Sequence, residues 1–115
     1  MSDECLFCKI IARQIPSKVV YEDDRLFAIE DINPQAPLHV LLMPKAHIST
    51  LNDLSSSQDA LVGEMVRRAA SIAHHRGFSE RGYRTVFNCN REAGQSVFHI
   101  HLHLLAGRTL AWPPG

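Results

Sequence analysis

The 115-residue chain carries no net charge, no long apolar run and only three cysteines, and each of these absences excludes a class of protein. Twelve basic residues balance twelve acidic ones, so the broad positive surface of a protein that binds nucleic acid or an anionic membrane is missing. No apolar run approaches the length of a bilayer span, and the start Met1-Ser2-Asp3-Glu4 lacks the basic residues of a signal peptide. We therefore expect a cytoplasmic protein that binds a small molecule, with neither nucleic acid nor a membrane as its partner.

The shortage of cysteine also limits how the fold can be stabilised. An odd number of cysteines, with Cys5 and Cys8 in a Cys-x-x-Cys pair, argues against a secreted disulfide framework and for reduced thiols or a metal site. Hydrophobic residues make up 45% of the chain, which is enough to build one core without disulfides. Residues 1–115 are predicted to form a single domain.

The most informative stretch is His99-Ile100-His101-Leu102-His103-Leu104-Leu105, near the end of the chain. Side chains alternate between the faces of a β-strand, so this pattern predicts three histidines on one face and apolar residues facing a core on the other. Neighbouring imidazoles would lie about 6.6 Å apart, in a row able to bind metal, move protons or attack an electrophile near neutral pH. A merely half-solvated strand would ordinarily carry Thr, Lys, Glu or Arg at such positions. Since protonated imidazoles repel one another, at least one should stay neutral, as a nucleophile or a metal ligand must be.

Apolar periodicity and turn residues predict two helices and five strands in an antiparallel α+β domain. A short helix is expected near residues 5–13 and a long one near 57–76, with serines 55–57 before its start and Gly77 after its end. Runs of β-branched and aromatic residues place strands at 19–22, 26–30, 38–43, 83–88 and 99–105. The polar loop 89–96 precedes the histidine strand, and its Gly94 permits backbone amides to turn towards an anion.

The alternating histidines, with several shorter segments, make the chain similar to the histidine triad (HIT) superfamily. The resemblance is closest to its nucleotide-binding (Hint) branch of purine nucleoside phosphoramidases, and it covers nearly the whole chain. It implies a five-stranded antiparallel sheet with one long and one short helix, and a homodimer in which two sheets join and the proline-ended tail reaches the partner's site. The segments that carry the resemblance, besides the histidines, are Phe7-Cys8-Lys9-Ile10-Ile11, Ile15-Pro16, Asp31-Ile32-Asn33-Pro34-Gln35-Ala36-Pro37, Pro44-Lys45-Ala46-His47-Ile48, Gly94-Gln95-Ser96-Val97 and Trp112-Pro113-Pro114-Gly115.

The resemblance also implies a chemistry for the histidine strand. His101 is expected to attack the α-phosphate of a nucleoside phosphoramidate and to form a covalent nucleotidyl-histidine, which water then cleaves. His103 and Ser96 are expected to contact the phosphate, and His39 to assist proton transfer to the leaving amine. Asn88 would hydrogen-bond near the scissile group. No metal is expected to take part in the chemical step.

A nucleoside site follows from the same resemblance. Asp31 is expected to hold the ribose hydroxyls, and an apolar slot to hold the purine. Without the resemblance, the apolar residues of this slot would be assigned to the core. The residues expected to bind nucleotide are Leu6, Phe7, Ile10, Ile29, Asp31, Ile32, Asn88, Gln95, Ser96, Val97, His101 and His103.

Two segments depart from the branch. The loop Cys89-Asn90-Arg91-Glu92-Ala93-Gly94 replaces an acidic, glycine-richer loop, so the substrate preference is less defined than the reaction type. Cys5 and Cys8 resemble the cysteine pair with which other superfamily members hold zinc, and the matching histidines are His47 and His99. Two thiolates and two imidazoles would complete a closed, structural zinc site. The alternative is a pair of half-buried reduced cysteines.

Three other functions stay open at this point. A metallohydrolase would bind catalytic zinc through His99, His101 and His103, but the outer two lie about 13 Å apart along a strand and cannot easily converge on one ion. A hydrolase of dinucleoside polyphosphates would use the same histidines. A nucleotide-binding or scaffold module would bind nucleotide with little turnover, although the complete set of site residues speaks against it.

Overall fold

Two helices and five strands follow one another in the predicted order in the computed structural model, which describes residues 4–115. The signal-peptide argument concerns residues 1–4, of which the first three lie outside the described residues. Among the described residues, no helix is long and apolar enough to span a bilayer. The helices are α1 (Leu6–Ile11) and α2 (Asp59–His75), and the strands are β1 (Val19–Glu22), β2 (Leu26–Glu30), β3 (Leu38–Pro44), β4 (Tyr83–Phe87) and β5 (Leu102–Ala106).

The five strands form one antiparallel sheet in the order β1-β2-β3-β5-β4. The hairpin of β1 and β2 has the predicted bounds, because Asp23 organises its turn: one carboxylate oxygen accepts the backbone N–H groups of Arg25 and Leu26 at 2.8 and 2.7 Å. Strands β3 and β5 lie at the centre, with β4 at one edge. The predicted five-stranded antiparallel sheet with one short and one long helix is confirmed.

Helix α2 covers one face of the sheet. Met65 and Ala69 of α2 are fully buried against Val40 and Leu42 of β3 and Leu104 of β5. Burying a leucine side chain completely contributes about 1.5–3 kcal/mol, so this layer is the main core of the domain. The histidine side chains of β3 and β5 therefore face away from α2.

The long helix begins two residues later than predicted and ends one residue earlier. Residues Ser56–Gln58 form a 3₁₀ turn, in which the Gln58 side chain accepts the Ser55 backbone N–H at 2.8 Å. At the other end Gly77 adopts a φ of +85°, which lets the Phe78 N–H bond the Ala73 carbonyl at 2.9 Å.

Helix α1 covers the opposite face of the sheet. Phe7 and Ile10 of α1 are buried against a second apolar cluster that includes Phe27, Leu41 and Met43. A helix of six residues is too short to be stable in isolation, so α1 depends on these contacts and on whatever else holds its first turn.

The histidine strand is shorter than predicted, because β5 begins only at Leu102. The regular pairing with β3 ends at Leu42 and Leu102. The Ile100 N–H donates to the Ile48 carbonyl at 2.7 Å, and the His99 ring bonds the Pro44 carbonyl at 2.7 Å. These contacts pair the segment with the end of β3 and the loop that follows it, which the local sequence does not specify.

The predicted separation of faces nevertheless holds along the whole stretch. Ile100, Leu102 and Leu104 are buried in the core beneath α2. On the other side, the Phe7 ring of α1 lies edge-to-face on His101, with ring centroids 4.9 Å apart. The histidines thus meet α1, and the apolar residues meet α2.

Candidate active site and metal centre

His101 is held in a tautomer that suits a nucleophile. The side chain is buried beside Phe7, and its Nδ1 lies 2.8 Å from the His99 carbonyl oxygen. A carbonyl can only accept a hydrogen bond, so Nδ1 carries the proton of the neutral ring and Nε2 keeps its lone pair. His101 can therefore attack an electrophile through Nε2 without first losing a proton.

A chain of hydrogen bonds fixes the rings of His39 and His103. The Gln35 backbone N–H donates to His39 Nδ1 at 3.0 Å, so the proton of neutral His39 is on Nε2. That Nε2 lies 3.0 Å from His103 Nδ1 and 3.4 Å from an Asp31 carboxylate oxygen. Because His103 Nδ1 accepts this bond, the ring proton of His103 is on Nε2. The chain leaves His103 with an N–H group to donate, and its ring centroid lies 5.0 Å from that of His101.

The groups of Asp31, His39 and His103 lie within 4.8 Å of one another, a spacing that a metal ion could also bridge. A metal would need the Nε2 of His39 without its proton. The Gln35 amide instead donates to Nδ1 and leaves the proton on Nε2. The geometry favours a hydrogen-bonded relay over a metal site at this place.

Burial keeps these imidazoles neutral. It lowers the pKa of His101 and of His39 below the ordinary value of 6.5, although Asp31 opposes the shift at both residues. For His103, burial together with the neighbouring His101 and His39 lowers the pKa to about 4. At neutral pH all three rings are uncharged, which is the state in which His101 Nε2 is a nucleophile.

A cleft of about 300 Å³ opens beside His101 and His103, a volume at the lower end of small-molecule sites. Its walls are mostly apolar, and its polar groups include Asp31 and Ser96. The cleft brings together all the residues expected to bind nucleotide except Asn88 and Gln95. Those in its lining are Leu6, Phe7, Ile10, Ile29, Asp31, Ile32, Ser96, Val97, His101 and His103.

Three residues expected to take part in catalysis or nucleotide binding lie outside the cleft lining. Asn88 follows the end of β4 and is half-buried. Gln95 is buried, and its side-chain hydrogen bonds go to backbone groups. His39 lies behind two lining residues, with its Nε2 3.0 Å from His103 Nδ1 and 3.4 Å from an Asp31 carboxylate oxygen.

Several residues that line the cleft were given no role by the sequence prediction. Leu41 could have been found, since it follows His39 by two positions on β3 and so shares its face. Ile15 and Pro16 belong to a segment that carries the family resemblance, but the pattern gave them no function. The lining residues missed from sequence are Ile15, Pro16, Ser17, Glu30 and Leu41.

A second cluster lies on the other side of His99. Nδ1 of His99 lies 3.3 Å from the Cys5 sulfur and 3.6 Å from the Cys8 sulfur. Nδ1 of His47 lies 3.4 Å from the Cys8 sulfur and 3.2 Å from His99 Nδ1. In a zinc tetrahedron with ordinary bond lengths, sulfur and nitrogen ligands are about 3.6 Å apart and two nitrogens about 3.3 Å apart. The donor types and their spacings fit a tetrahedral metal site.

The outer nitrogens of both histidines support this assignment. His99 Nε2 lies 2.7 Å from the Pro44 carbonyl, so it carries the proton and the lone pair of Nδ1 faces the two sulfurs. His47 Nε2 lies 3.3 Å from the Ser49 hydroxyl. Metal-bound histidines commonly use their second nitrogen in this way, which fixes the ring for the ion. The cluster of Cys5, Cys8, His47 and His99 could therefore hold a metal ion.

Comparison with known proteins points to one family. A family model described as "Scavenger mRNA decapping enzyme C-term binding" matches residues 4–110. A purine nucleoside phosphoramidase of Escherichia coli (strain K12) is 50% identical over 110 residues, which cover 96% of this chain and 92% of that protein. A HIT family hydrolase from Legionella pneumophila Philadelphia 1 has a TM-score of 0.95 at 52% identity, covering 96% of this chain and 99% of that one. A histidine triad protein from Clostridium difficile has a TM-score of 0.91 at 42% identity, with 95% of both chains covered.

Fold, histidine arrangement and relatives agree on a class of hydrolases built around a histidine row. The chain belongs to the histidine triad (HIT) family of hydrolases, which confirms the resemblance found in its sequence.

Proposed function

We propose that this protein hydrolyses purine nucleoside phosphoramidates, the activity for which its Escherichia coli relative is named. The observation that carries the proposal is the 2.8 Å contact between His101 Nδ1 and the His99 carbonyl. It leaves the lone pair of Nε2 available on a side chain that lines the cleft.

The reaction proceeds in two displacements at phosphorus. His101 Nε2 attacks the α-phosphorus, a nitrogen–phosphorus bond forms, and the bond from phosphorus to the leaving amine breaks as the amine takes up a proton from solvent. Water then attacks the phosphorus and loses a proton to solvent, and the bond from phosphorus to His101 Nε2 breaks, which releases a nucleoside monophosphate and restores the neutral ring. Two such steps replace one harder displacement.

His103 and His39 serve the phosphate and the leaving amine. The Nε2–H of His103 donates to a phosphate oxygen, where negative charge accumulates in the transition state. His39 assists proton transfer to the leaving amine and acts through His103, because its own Nε2–H is 3.0 Å from His103 Nδ1. Ser96 contacts the phosphate or the leaving group, and Asn88 hydrogen-bonds near the scissile bond.

The nucleoside occupies the apolar part of the cleft. Purine rings suit a slot walled by Phe7, Ile10 and Ile29, with Leu6 and Ile32 at its exposed side. Asp31 binds the ribose hydroxyls through its carboxylate, and Val97 packs beside the nucleotide.

The metal proposed for the second cluster is zinc. Two thiolates and two imidazoles are a typical structural zinc set, and four protein ligands leave no position for a reactive water. When bound, zinc would hold together α1, the loop after β3 and the segment before β5. The hydrolysis itself uses no metal.

A homodimer is proposed as the working assembly. Strand β4 is an edge strand of the sheet, and Trp112 in the tail is 82% exposed, which would let both meet a second copy. The tail is fixed at its root, where Arg84 donates to the Ala111 carbonyl at 2.9 Å. Sedimentation of the purified protein measures the assembly directly. The cytoplasmic location expected from the sequence stays a prediction.

The decisive experiment replaces the nucleophile. H101A should lose at least about 1,000-fold in turnover of an adenosine phosphoramidate while still binding adenosine monophosphate. H74A, which removes an exposed histidine at the end of α2, is the matched control and should keep full activity. Turnover retained by H101A would refute the nucleophile. Faster hydrolysis of a dinucleoside polyphosphate than of the phosphoramidate would refute the substrate class.

A further inference from the structure

Gln95 was expected from the sequence to bind nucleotide, but its surroundings give it a different part in the site. The side chain is only 6% exposed, and it lies between the loop 90–97 and the loop after β3. We propose that Gln95 is a positioning residue that holds Ser96 in place for the reaction. The inference rests on the proposed function, because it assigns how one of the phosphate contacts is oriented.

The amide of Gln95 has no donor left for a ligand. Its Nε2 donates to the Ser49 carbonyl at 2.8 Å and to the Val97 carbonyl at 3.1 Å, while Oε1 accepts the Asn90 N–H at 2.8 Å. A carboxamide carries two N–H donors, and both are used here. A phosphate oxygen needs a donor, so Gln95 does not meet it in this arrangement.

These bonds close the loop that precedes the histidines. The backbone N–H of Gln95 bonds the Asn90 carbonyl at 3.1 Å, so Asn90 and Gln95 are joined by backbone and by side chain. Asn90 has a φ of +68°, a left-handed conformation that residues other than glycine seldom adopt. The two bonds from Gln95 hold this backbone in place, and Gly94, at a φ of +89°, completes the turn.

Ser96 lies between the groups that Gln95 anchors. It is the next residue along the chain, and it is exposed in the cleft that His101 and His103 also line. Since Gln95 bonds Asn90 before Ser96 and Val97 after it, the backbone of Ser96 is fixed on both sides. An error of about 1 Å in such a contact can reduce a rate by about 100-fold.

The Ser49 bond ties this loop to the metal cluster. Ser49 is not part of the cleft lining; its hydroxyl lies 3.3 Å from Nε2 of His47, and its carbonyl accepts a hydrogen bond from Gln95 Nε2. The Gln95 amide thus joins the loop that carries Ser96 to the loop that carries a metal ligand.

The experiment is a double-mutant cycle on kcat and KM with an adenosine phosphoramidate. Q95E keeps the shape and the acceptor oxygen of the side chain but loses both donors. It should lower kcat by about 10- to 100-fold with KM changed less than about threefold. In an S96A background the same change should lower kcat by less than about threefold, because its target is already absent. Q14E, at an exposed glutamine, is the matched control and should leave both constants unchanged.

Two other results would overturn the proposal. A raised KM with unchanged kcat in Q95E would make Gln95 a nucleotide contact and overturn the proposal, as would equal losses with and without Ser96. If Q95E does not fold, Q95M repeats the cycle without the added charge, and the same outcomes decide. H101A is measured alongside: turnover retained by H101A would refute the proposed function itself, whereas loss in H101A with an additive cycle would refute only the role of Gln95.

Discussion

Removing metal from the proposed site at Cys5, Cys8, His47 and His99 should weaken nucleotide binding as well as stability. The reason is that α1 belongs to both sites. Cys5 caps the helix, its sulfur accepting the Cys8 N–H at 3.3 Å, and Phe7 in the same turn walls the cleft. Six residues cannot hold a helix by themselves, so loss of the ion should loosen the cleft wall.

The size of the effect follows from linkage. A metal at a free concentration about 1,000 times its Kd stabilises the folded state by about 4 kcal/mol. For a domain of this size each kcal/mol moves the Tm by about 4 °C, so stripping the ion should lower the Tm by about 15 °C. A coupling of 1–3 kcal/mol, usual between linked sites, predicts that adenosine monophosphate binds about 5- to 150-fold more weakly without metal.

Calorimetry in metal-buffered solution measures both quantities. Metal content, Tm and the Kd for adenosine monophosphate are determined for loaded and stripped protein, and for C8S. C89S, which removes the cysteine outside the cluster, is the matched control and should behave as the native chain. Failure to bind one metal ion per chain would refute the site. Stoichiometric metal with an unchanged nucleotide Kd would refute the coupling, because linkage requires each ligand to alter the affinity of the other equally.

Two further predictions concern stability. Because burial and neighbouring imidazoles hold the pKa of His103 to about 4, the unfolded chain binds more protons than the folded one between pH 4 and 6.5. The stability present above pH 6.5 should therefore fall as the solution is acidified, by up to about 3 kcal/mol from His103 near pH 4. Urea midpoints should depend less on pH in H103Q, and an equal dependence would contradict the assignment. Separately, G107A should destabilise more than G77A, by about 1–3 kcal/mol, in urea unfolding. Both glycines have positive φ, but a Cβ at Gly107 would lie 2.7 Å from the Pro37 Cβ, whereas a Cβ at Gly77 would enter open space. Equal losses of stability in the two variants would show that backbone strain alone acts.

Elements set by local chemistry were predictable from the sequence, and those set by distant partners were not. The β1–β2 hairpin was found with its bounds because Asp23 makes its turn bonds within three residues. The start of β5 was misplaced because it depends on the Pro44 and Ile48 carbonyls, about 50 residues away along the chain. Alternation along residues 99–105 still gave the correct faces, because burial on one side of a sheet fixes them.

The same limit applies to the candidate site. Residue types and the family resemblance indicated which side chains gather around the cleft, and ten of the twelve expected nucleotide contacts line it. The exceptions are polar residues, Asn88 and Gln95, whose partners cannot be inferred from spacing. Gln95 bonds the Ser49 carbonyl, 46 positions earlier, and only the folded chain reveals that its amide is already occupied.

Backbone partners also explain how one residue type performs different tasks. A carbonyl forces the ring nitrogen it meets to carry the proton, as at His99 Nε2 and His101 Nδ1, and frees the lone pair of the other nitrogen. For His99 that lone pair faces the two cysteine sulfurs, and for His101 it is the proposed nucleophile. An amide does the reverse: the Gln35 N–H occupies the lone pair of His39 Nδ1 and leaves a proton on Nε2 for His103 to accept. The alternating pattern supplies similar imidazoles, and the main chain around each ring decides which nitrogen keeps its lone pair, which suits His99 to a metal site and His101 to the proposed attack.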